Sequence, residues 1–362
     1  LLYGGSFDPP HNGHLNNLRA AADRVHPDKI VVMPAGTSPF KELSLAACAN
    51  DTSGGGSAGS ASSSGTYRIG VLQLTQHAAL DASNEGFIAA LDDAGISYEA
   101  DQQNANNEQS TCTTIASTFA NDGVDLILAI GTPAAQACLN ATTEIPIVGT
   151  AITDFAESGL VESNDAPGGN LTGSSDMTPV ADQISLLTQL VPDAAQVGLL
   201  YCTAESNSEI QIQMAEEALD DAGLGHERYS FSSTNELQTV VETMVGQVDA
   251  VYAPTDNTVA AAMAQVASTA DAAGIPTIVG CDTMVEDGGT ASYSINYRDL
   301  GYRAGEMAVQ ILTEDADPAT MPVETMGADE CDLVYNQQTA DEIGVDVSSL
   351  ASDGGTDVSA EA

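Results

Sequence analysis

The chain has 362 residues, of which 43% are hydrophobic, so it is long enough for two or three domains with sizeable cores. Fifty-two Asp and Glu against 8 Lys and Arg give a formal net charge of −44 at pH 7, and residues 1–47 contribute nothing to this excess. The strongly acidic remainder repels phosphates, which excludes nucleic acids and anionic membranes as its direct partners.

The first 42 residues form a segment distinct from the rest. They carry a glycine-rich turn and an H-N-G-H motif, whose candidate nucleotide-binding residues are Gly4, Gly5, Ser6, Phe7, His11 and His14. Backbone N–H groups of such a turn can approach phosphates, and the histidines can stabilise charge during adenylyl transfer. The segment resembles the beginning of nicotinate-nucleotide adenylyltransferases, which implies a partial Rossmann-like fold. The remaining sheet of that family and its closing Ser/Thr-Arg segment are absent, so we expect a vestigial site without activity.

A short motif and a flexible segment follow. Leu45-Ala46-Ala47-Cys48 looks like a bacterial lipobox, with Cys48 as the lipid attachment, and residues 49–65 are almost wholly small and polar, as in a tether. The apolar stretch that precedes a lipobox in an export signal is interrupted at Pro34 and Pro39. We therefore expect a lipid-anchored protein at the cell surface or in the periplasm, with a damaged export signal in this chain.

From Tyr67 onward, apolar runs alternate with helical patterns. The predicted strands are Tyr67–Leu74, Ile96–Glu99, Leu171–Ser175, Gln196–Tyr201, Tyr229–Phe231, Ala291–Ile295 and Leu333–Tyr335. The predicted helices are Leu80–Ala94, Ser110–Ala120, Pro179–Leu190, Ser208–Ala222, Glu236–Val245 and Leu300–Leu312. This alternation predicts an α/β protein with parallel sheets.

Two stretches of the chain echo each other. Asp125–Thr150 and Asp249–Asp282 each begin at Asp, cross an apolar strand, turn, continue through an Ala-rich helix and end on a second strand after Ile-Pro. Parallel strands joined this way place their turns at one edge of a sheet, where ligands bind. The pattern predicts two similar lobes whose turns, Gly131–Pro133 and Thr255–Thr258, face each other across a cleft.

The lobe boundaries follow from two predicted crossovers, Leu171–Ser175 and Ala291–Ile295. They assign the first lobe to residues 66–174 and 296–325, the second lobe to 175–295 and 326–350, and a disordered, Ser/Asp/Gly-rich tail to 351–362.

Several blocks in the body carry a family resemblance. They are Gly70–Gln73, Ala129–Ala135, Thr153-Asp154, Pro167–Gly173, Ser175–Pro179 and Pro254–Thr258. Together they resemble solute-binding proteins of ABC transporters, in particular those that capture tryptophan or other aromatic amino acids, over Tyr67 to about Ile343. The resemblance implies a two-lobed periplasmic-binding fold (type I), a monomer without cofactor, and delivery of a small solute to a membrane permease.

An amino-acid solute has a carboxylate and an ammonium group, and each needs a partner. Helix N-termini suit the carboxylate, which points to the helix starts at Thr132-Pro133 and at Ser206-Asn207-Ser208. The ammonium needs an anion, and Asp154, Asp256 and Asp282 each follow a strand. The turn position of Asp256 makes it the preferred partner. The further candidates, also next to strand ends, are Gln73, His77, Asp81, Thr153, Thr255 and Asn257.

Two other functions fit the sequence less well than capture of a solute. An enzyme would rest on residues 1–42 alone, because residues 66–350 show no nucleophile–base pair, metal cluster or phosphate-binding loop. The six cysteines form no C-x-x-C pair, so the sequence predicts no metal site. A sensor module of a transcription repressor would need a DNA-binding headpiece, whereas a Gly/Ser-rich segment precedes Tyr67.

Overall fold

The computed structural model describes residues 65–359. The adenylyltransferase-like segment with its candidate nucleotide-binding residues, and the candidate lipid-attachment residue Cys48, lie outside the described residues. No helix in the described part of the chain is long and apolar enough to cross a membrane.

Strands and helices alternate through most of the described chain. In its first half lie β1 (Tyr67–Gln73), α1 (Ala78–Asp93), β2 (Tyr98–Asn104), α2 (Gln109–Asp122), β3 (Leu126–Ile130), α3 (Thr132–Ala141), β4 (Ile147–Ile152), β5 (Leu171–Ser175), α4 (Val180–Leu190), β6 (Gln196–Cys202) and α5 (Ser206–Ala222). Then come β7 (Gly225–Phe231), α6 (Thr234–Met244), β8 (Ala250–Ala253), α7 (Asn257–Ala260), α8 (Met263–Ala273), β9 (Thr277–Val279), α9 (Asp282–Glu286), β10 (Ala291–Ser294), α10 (Tyr297–Glu314), β11 (Glu324–Thr325), β12 (Asp332–Tyr335), α11 (Gln337–Ile343), α12 (Ser348–Ser352) and β13 (Thr356–Asp357).

Two sheets organise these elements. The order is β11-β5-β4-β3-β1-β2 in the six-stranded sheet and β13-β12-β10-β9-β8-β6-β7 in the seven-stranded sheet. We call the parts built on them the first and the second lobe. Described strand neighbours are parallel, except that β12 is antiparallel to β10. The predicted two-lobed α/β fold is confirmed, with this one antiparallel pair as an exception.

Central strands are buried on both faces. Every residue of β3 is buried, as expected for a parallel strand covered by helices on both sides. Helix α10 returns from the second lobe and packs against α1. A side chain at Gly86 would overlap the carbonyl oxygen of Arg298, and one at Gly301 would overlap that of Ser83. Glycine at these positions lets the two helices approach closely, and this contact attaches α10 to the first lobe.

The two predicted crossovers are corrected by the structure. Leu171–Ser175 is a buried strand of the first sheet, and Ala291–Ser294 is a strand of the second sheet. The chain changes lobe just after each of them, and it crosses a third time between β11 and β12. Short apolar strands and apolar crossovers look alike in sequence, which explains the difference.

Three local predictions are also wrong. The second strand begins at Tyr98 and continues through polar residues, because β2 is an exposed edge strand. The single Ala-rich helix expected within Asp249–Asp282 breaks at Ala262 into α7 and α8. The first N–H groups of α7 donate to the carboxylates of Glu205 and Asp256. Residues 351–359 are not disordered, because Leu350 is buried and β13 pairs with β12. Residues 360–362 lie outside the described residues.

Candidate functional site

The facing surfaces of the two lobes are in direct contact. After β1, His77 Nε2 lies 3.1 Å from the Asn257 Oδ1 atom of the second lobe. After β2, Asn107 Nδ2 donates to Thr258 Oγ1 over 2.9 Å. These contacts join loops that follow strand ends, where parallel sheets place their ligand sites.

Further interlobe bonds surround this contact. Thr153, after β4, lies 3.4 Å from Thr255 and accepts a hydrogen bond from Gln211 Nε2 over 3.2 Å. Gln136 on α3 donates to Ser206 on α5 over 3.3 Å at an exposed position. The turn at Thr255–Thr258 therefore faces the first lobe as predicted. Its hydrogen-bond partners there are His77, Asn107 and Thr153, and not the predicted bend Gly131–Pro133.

Asp256, the preferred partner of the solute's ammonium, is fully buried, and its carboxylate is used within its own lobe. Its Oδ1 atom accepts from Val259 N over 2.9 Å. Its Oδ2 atom accepts from Cys202 N over 2.7 Å and from Ser208 Oγ over 2.8 Å. Burial, with the nearby Glu205 carboxylate, raises the pKa of Asp256 well above its ordinary value. The structure thus gives Asp256 a supporting role, which argues against the predicted ammonium contact.

The other two acidic candidates are also engaged locally. Asp154 Oδ1 accepts from Ala156 N, Glu157 N and Asn164 Nδ2 over 2.9 to 3.2 Å, which closes the loop after β4. Asp282 Oδ1 accepts from Thr283 N over 2.8 Å at the start of α9. Both carboxylates therefore stabilise the turns in which they lie.

Two pairs of candidates in the first lobe differ in whether their polar atoms already have hydrogen-bond partners. Gln73 donates to Asp81 Oδ1 over 2.7 Å and to the Thr75 carbonyl over 2.8 Å, so these side chains stabilise each other. Thr132, the first residue of α3, is 1% exposed, and the Pro133 beside it is buried. The Oγ1 atom of Thr132 is buried and makes no hydrogen bond among the described residues.

Asp176 is a candidate that sequence reasoning missed. It follows β5, is 4% exposed, and accepts a 2.9 Å hydrogen bond at Oδ2 from the Tyr297 hydroxyl. Its Oδ1 atom and the nearby Thr178 Oγ1 are buried without a hydrogen-bond partner among the described residues. Burial raises the pKa of Asp176 to about 6, against the lowering effect of the hydrogen bond from Tyr297. Its place directly after a strand was the available signal.

Buried polar atoms without partners are rare in folded proteins, and five of those in the described chain lie in segments that follow the carboxyl end of a strand. They are His77 Nδ1, Thr132 Oγ1, Asp176 Oδ1, Thr178 Oγ1 and Asn207 Oδ1. Such atoms can bind a solute that brings both hydrogen-bond donors and acceptors.

The charge of this region favours a cationic group. Asp176, Glu205 and Asp256 are all buried there. The four arginines of the described chain hydrogen-bond other groups: Arg68 binds the Asp122 carbonyl, Arg228 binds Glu209 and Glu216, Arg298 binds Glu85, and Arg303 binds Glu330. Since the body has no lysine, an ammonium group would find negative side chains without a competing cation.

Two bulky aromatic residues that follow or lie in strands near the site belong to the core. Phe155 and Tyr252 are both fully buried, and the Tyr252 hydroxyl donates to Gln183 over 2.9 Å. Tyr297 is also buried, but its hydroxyl reaches Asp176 at the lobe interface. It is therefore the aromatic side chain with a direct connection to the candidate site.

Comparisons with known proteins separate the body from the N-terminal segment. Residues 68–354 match the family model described as ABC transporter substrate binding protein. Residues 2–51 match the cytidylyltransferase-like model. A probable nicotinate-nucleotide adenylyltransferase of Sulfurovum is 51% identical over 45 residues, which are 12% of this chain and 24% of that protein. The enzyme resemblance thus concerns a short fragment, as predicted.

Relatives of the body are binding proteins. A tyrosine-binding protein of Clostridioides difficile is 38% identical over 275 residues, covering 75% of this chain and 79% of that protein. A solved structure from Streptococcus pneumoniae in complex with L-Trp has 35% identity and a TM-score of 0.77, and covers 80% of this chain and 98% of its own. The ligand-free, open structure of a substrate-binding protein from Clostridium difficile has 39% identity and a TM-score of 0.60, over 78% and 96% of the two chains. At similar identity, the described fold is more similar to the complex than to the open form.

Proposed function

The chain belongs to the family of ABC transporter substrate-binding proteins, and we propose that its body captures an aromatic amino acid between the two lobes. The observation that carries this proposal is the set of five buried polar atoms after strand ends that have no hydrogen-bond partner among the described residues. The relatives described as tyrosine-binding and as an L-Trp complex support the aromatic class.

In the proposed complex, Asp176 binds the ammonium group. Its Oδ1 atom is buried and has no partner in the described chain, while Tyr297 holds its Oδ2 atom. An ammonium group would supply the missing donor and would stabilise the ionised carboxylate. Asp256 offers no comparable free oxygen, because both of its oxygens already accept from its own lobe.

The solute's carboxylate binds at the start of α3. Thr132 is the first residue of this ten-residue helix, and its hydroxyl is free to donate. The N–H groups of a first helical turn and the positive end of the helix dipole favour an anion there. The two ends of the zwitterion would thus both be held by loops that follow strands of the first sheet.

Capture proceeds by closure of the lobes. A solute that contacts both lobes stabilises the closed arrangement through contacts that the open one lacks. Since the fold is more similar to an L-Trp complex than to an open structure, the contacting lobes are taken as the closed arrangement. No bond of the solute is made or broken, in line with relatives that are binding proteins.

Binding proteins of ABC importers act outside the cytoplasm and pass their solute to a permease. We propose that this chain does so as a monomer, attached to the membrane through a lipid on Cys48. The small-residue motif before Cys48 and the flexible composition after it support this anchor. Mass spectrometry of the protein purified from membranes would detect the lipid on Cys48, and an unmodified thiol there would contradict it.

Isothermal titration calorimetry of the full chain with the twenty amino acids tests the function. We expect binding, tightest for an aromatic amino acid, and a loss of about 2–5 kcal/mol in binding free energy for Asp176→Asn. Asp182→Asn, a change on the solvent side of α4, is the matched control and should leave affinity unchanged. No binding of any amino acid would contradict capture, and full affinity of Asp176→Asn would remove Asp176 from the site.

A further inference from the structure

Glu205 lies directly behind the interlobe contact and accepts four hydrogen bonds. Its Oε2 atom accepts from Asn257 N over 3.1 Å and from Asn257 Nδ2 over 2.6 Å. Its Oε1 atom accepts from Thr258 N over 2.9 Å and from Thr258 Oγ1 over 2.7 Å. The side chain is buried, so one carboxylate orients Asn257 and Thr258, two of the residues that reach the first lobe.

Because Glu205 accepts all four of these bonds, it fixes the direction of the hydrogen bonds that Asn257 and Thr258 make with the first lobe. A carboxylate only accepts, so the NH₂ end of Asn257 faces Glu205 and its oxygen faces His77. That oxygen needs a donor, which requires the proton of the neutral imidazole on Nε2. The Nδ1 atom of His77 is then a hydrogen-bond acceptor.

The second contact follows the same rule. The Thr258 hydroxyl donates its single proton to Glu205, so its oxygen can accept from Asn107 Nδ2. Glu205 thus sets the donor and acceptor roles in both of these interlobe contacts.

The surroundings of His77 favour the neutral imidazole at pH 7. Burial lowers its pKa below the ordinary value, against the raising effects of the Asn257 hydrogen bond and of the carboxylates of Glu205, Asp81 and Asp287. The Nδ1 atom is buried and has no hydrogen-bond partner among the described residues. A buried acceptor of this kind discriminates against a ligand that offers it no donor.

We propose that His77 determines specificity: its Nδ1 atom accepts a hydrogen bond from an N–H or O–H group on the solute's ring. The ammonium is assigned to Asp176, so the ring remains as the source of the donor. The cleft then selects phenol or indole side chains over a plain phenyl ring. This inference rests on the proposed function, because it concerns the same solute.

Paired solutes that differ in one donor test the proposal with the full chain. Calorimetry should show L-tyrosine binding about tenfold or more tighter than L-phenylalanine, and L-tryptophan similarly tighter than L-3-benzothienylalanine, in which sulfur replaces the indole N–H. His77→Ala should remove the difference, whereas His226→Ala should keep it, because His226 bonds Asp220 within the second lobe. Equal affinities within both pairs would overturn the role of His77 and leave capture standing. No binding of any amino acid would instead defeat the proposed function.

The tautomer can be measured without a solute. Nitrogen-15 NMR of the imidazole rings, with His77 assigned by comparison with His77→Ala, should show Nε2 protonated and Nδ1 unprotonated. Asn257→Ala removes the group that fixes the proton and should give a mixture of the two forms. A protonated Nδ1 in the wild-type chain would overturn the proposal.

Discussion

The two echoing strand–turn–helix units end in turns of opposite character. In the first lobe, Thr132 is buried, and its hydroxyl has no hydrogen-bond partner in the part of the chain that the structure describes. In the second lobe, Thr255 Oγ1 accepts from Gln211 over 2.6 Å, and Glu205 and Asp256 accept from the residues that follow. Similar sequences thus have different surroundings: the first turn has a buried hydroxyl that we propose binds the solute, and the hydrogen bonds of the second turn hold it against the opposite lobe.

Removing the Asp256 carboxylate should have the largest effect. Asp256→Ala leaves three buried donors without an acceptor, and we expect a loss of about 2–4 kcal/mol in the free energy of unfolding, measured by urea denaturation. The exposed Asp221→Ala is the control and should change stability little. Unaltered stability together with lost binding would make Asp256 a solute contact and reverse the comparison.

Acid should weaken capture through the first lobe. In the proposed complex the solute's ammonium pairs with ionised Asp176, whose pKa is raised to about 6 by burial, so below that pH binding must displace a proton. We expect the dissociation constant to be flat above about pH 7 and to rise by up to roughly tenfold per pH unit below 6. Titration calorimetry across pH measures this.

The matched variant for the pH profile is Asp176→Asn, which has no carboxylate to protonate. Its affinity is expected to be low and nearly independent of pH in the same range. A wild-type profile that does not change between pH 5 and 8 would argue that Asp176 makes no ionic contact with the solute.

A change at Thr132 in the turn of the first lobe should alter the affinity for the solute and not the stability of the fold. Thr132→Val removes the unpartnered hydroxyl without changing its shape, so we expect about 1 kcal/mol weaker binding and unfolding free energy that is equal or slightly higher. Thr150→Val is the counterpart, since Thr150 accepts a 3.0 Å hydrogen bond from Ser174 within the same sheet. That variant should lose stability and keep affinity. The opposite result would assign Thr132 to the core.

The exposed interlobe bond should matter least. Gln136→Ala removes the 3.3 Å bond to Ser206, which competes with water, so affinity should change by at most about 0.5 kcal/mol. Asn107→Ala removes a more buried interlobe bond and should cost more. An equal or larger loss for Gln136→Ala would show that the periphery, and not the centre, holds the lobes together.

Much of the fold could be predicted from the sequence, but the choice among carboxylates could not. The alternation of strand and helix patterns, and the Ile-Pro pair before the second strand of each echoing stretch, identified the two lobes. Asp176 and Asp256 both follow strands, and sequence reasoning chose the second. The difference lies in donors that are distant along the chain. Cys202 and Ser208 both donate to Asp256, whereas Asp176 Oδ1 has no hydrogen-bond partner within residues 65–359. Such tertiary partners leave no local pattern.

A crystal structure of the full chain with L-tyrosine tests the central claim most directly. We expect the solute between the lobes, with its ammonium within hydrogen-bond distance of Asp176 Oδ1 and its carboxylate at Thr132 and the start of α3. An ammonium bound to Asp256, or a solute outside the interlobe contact, would contradict this account.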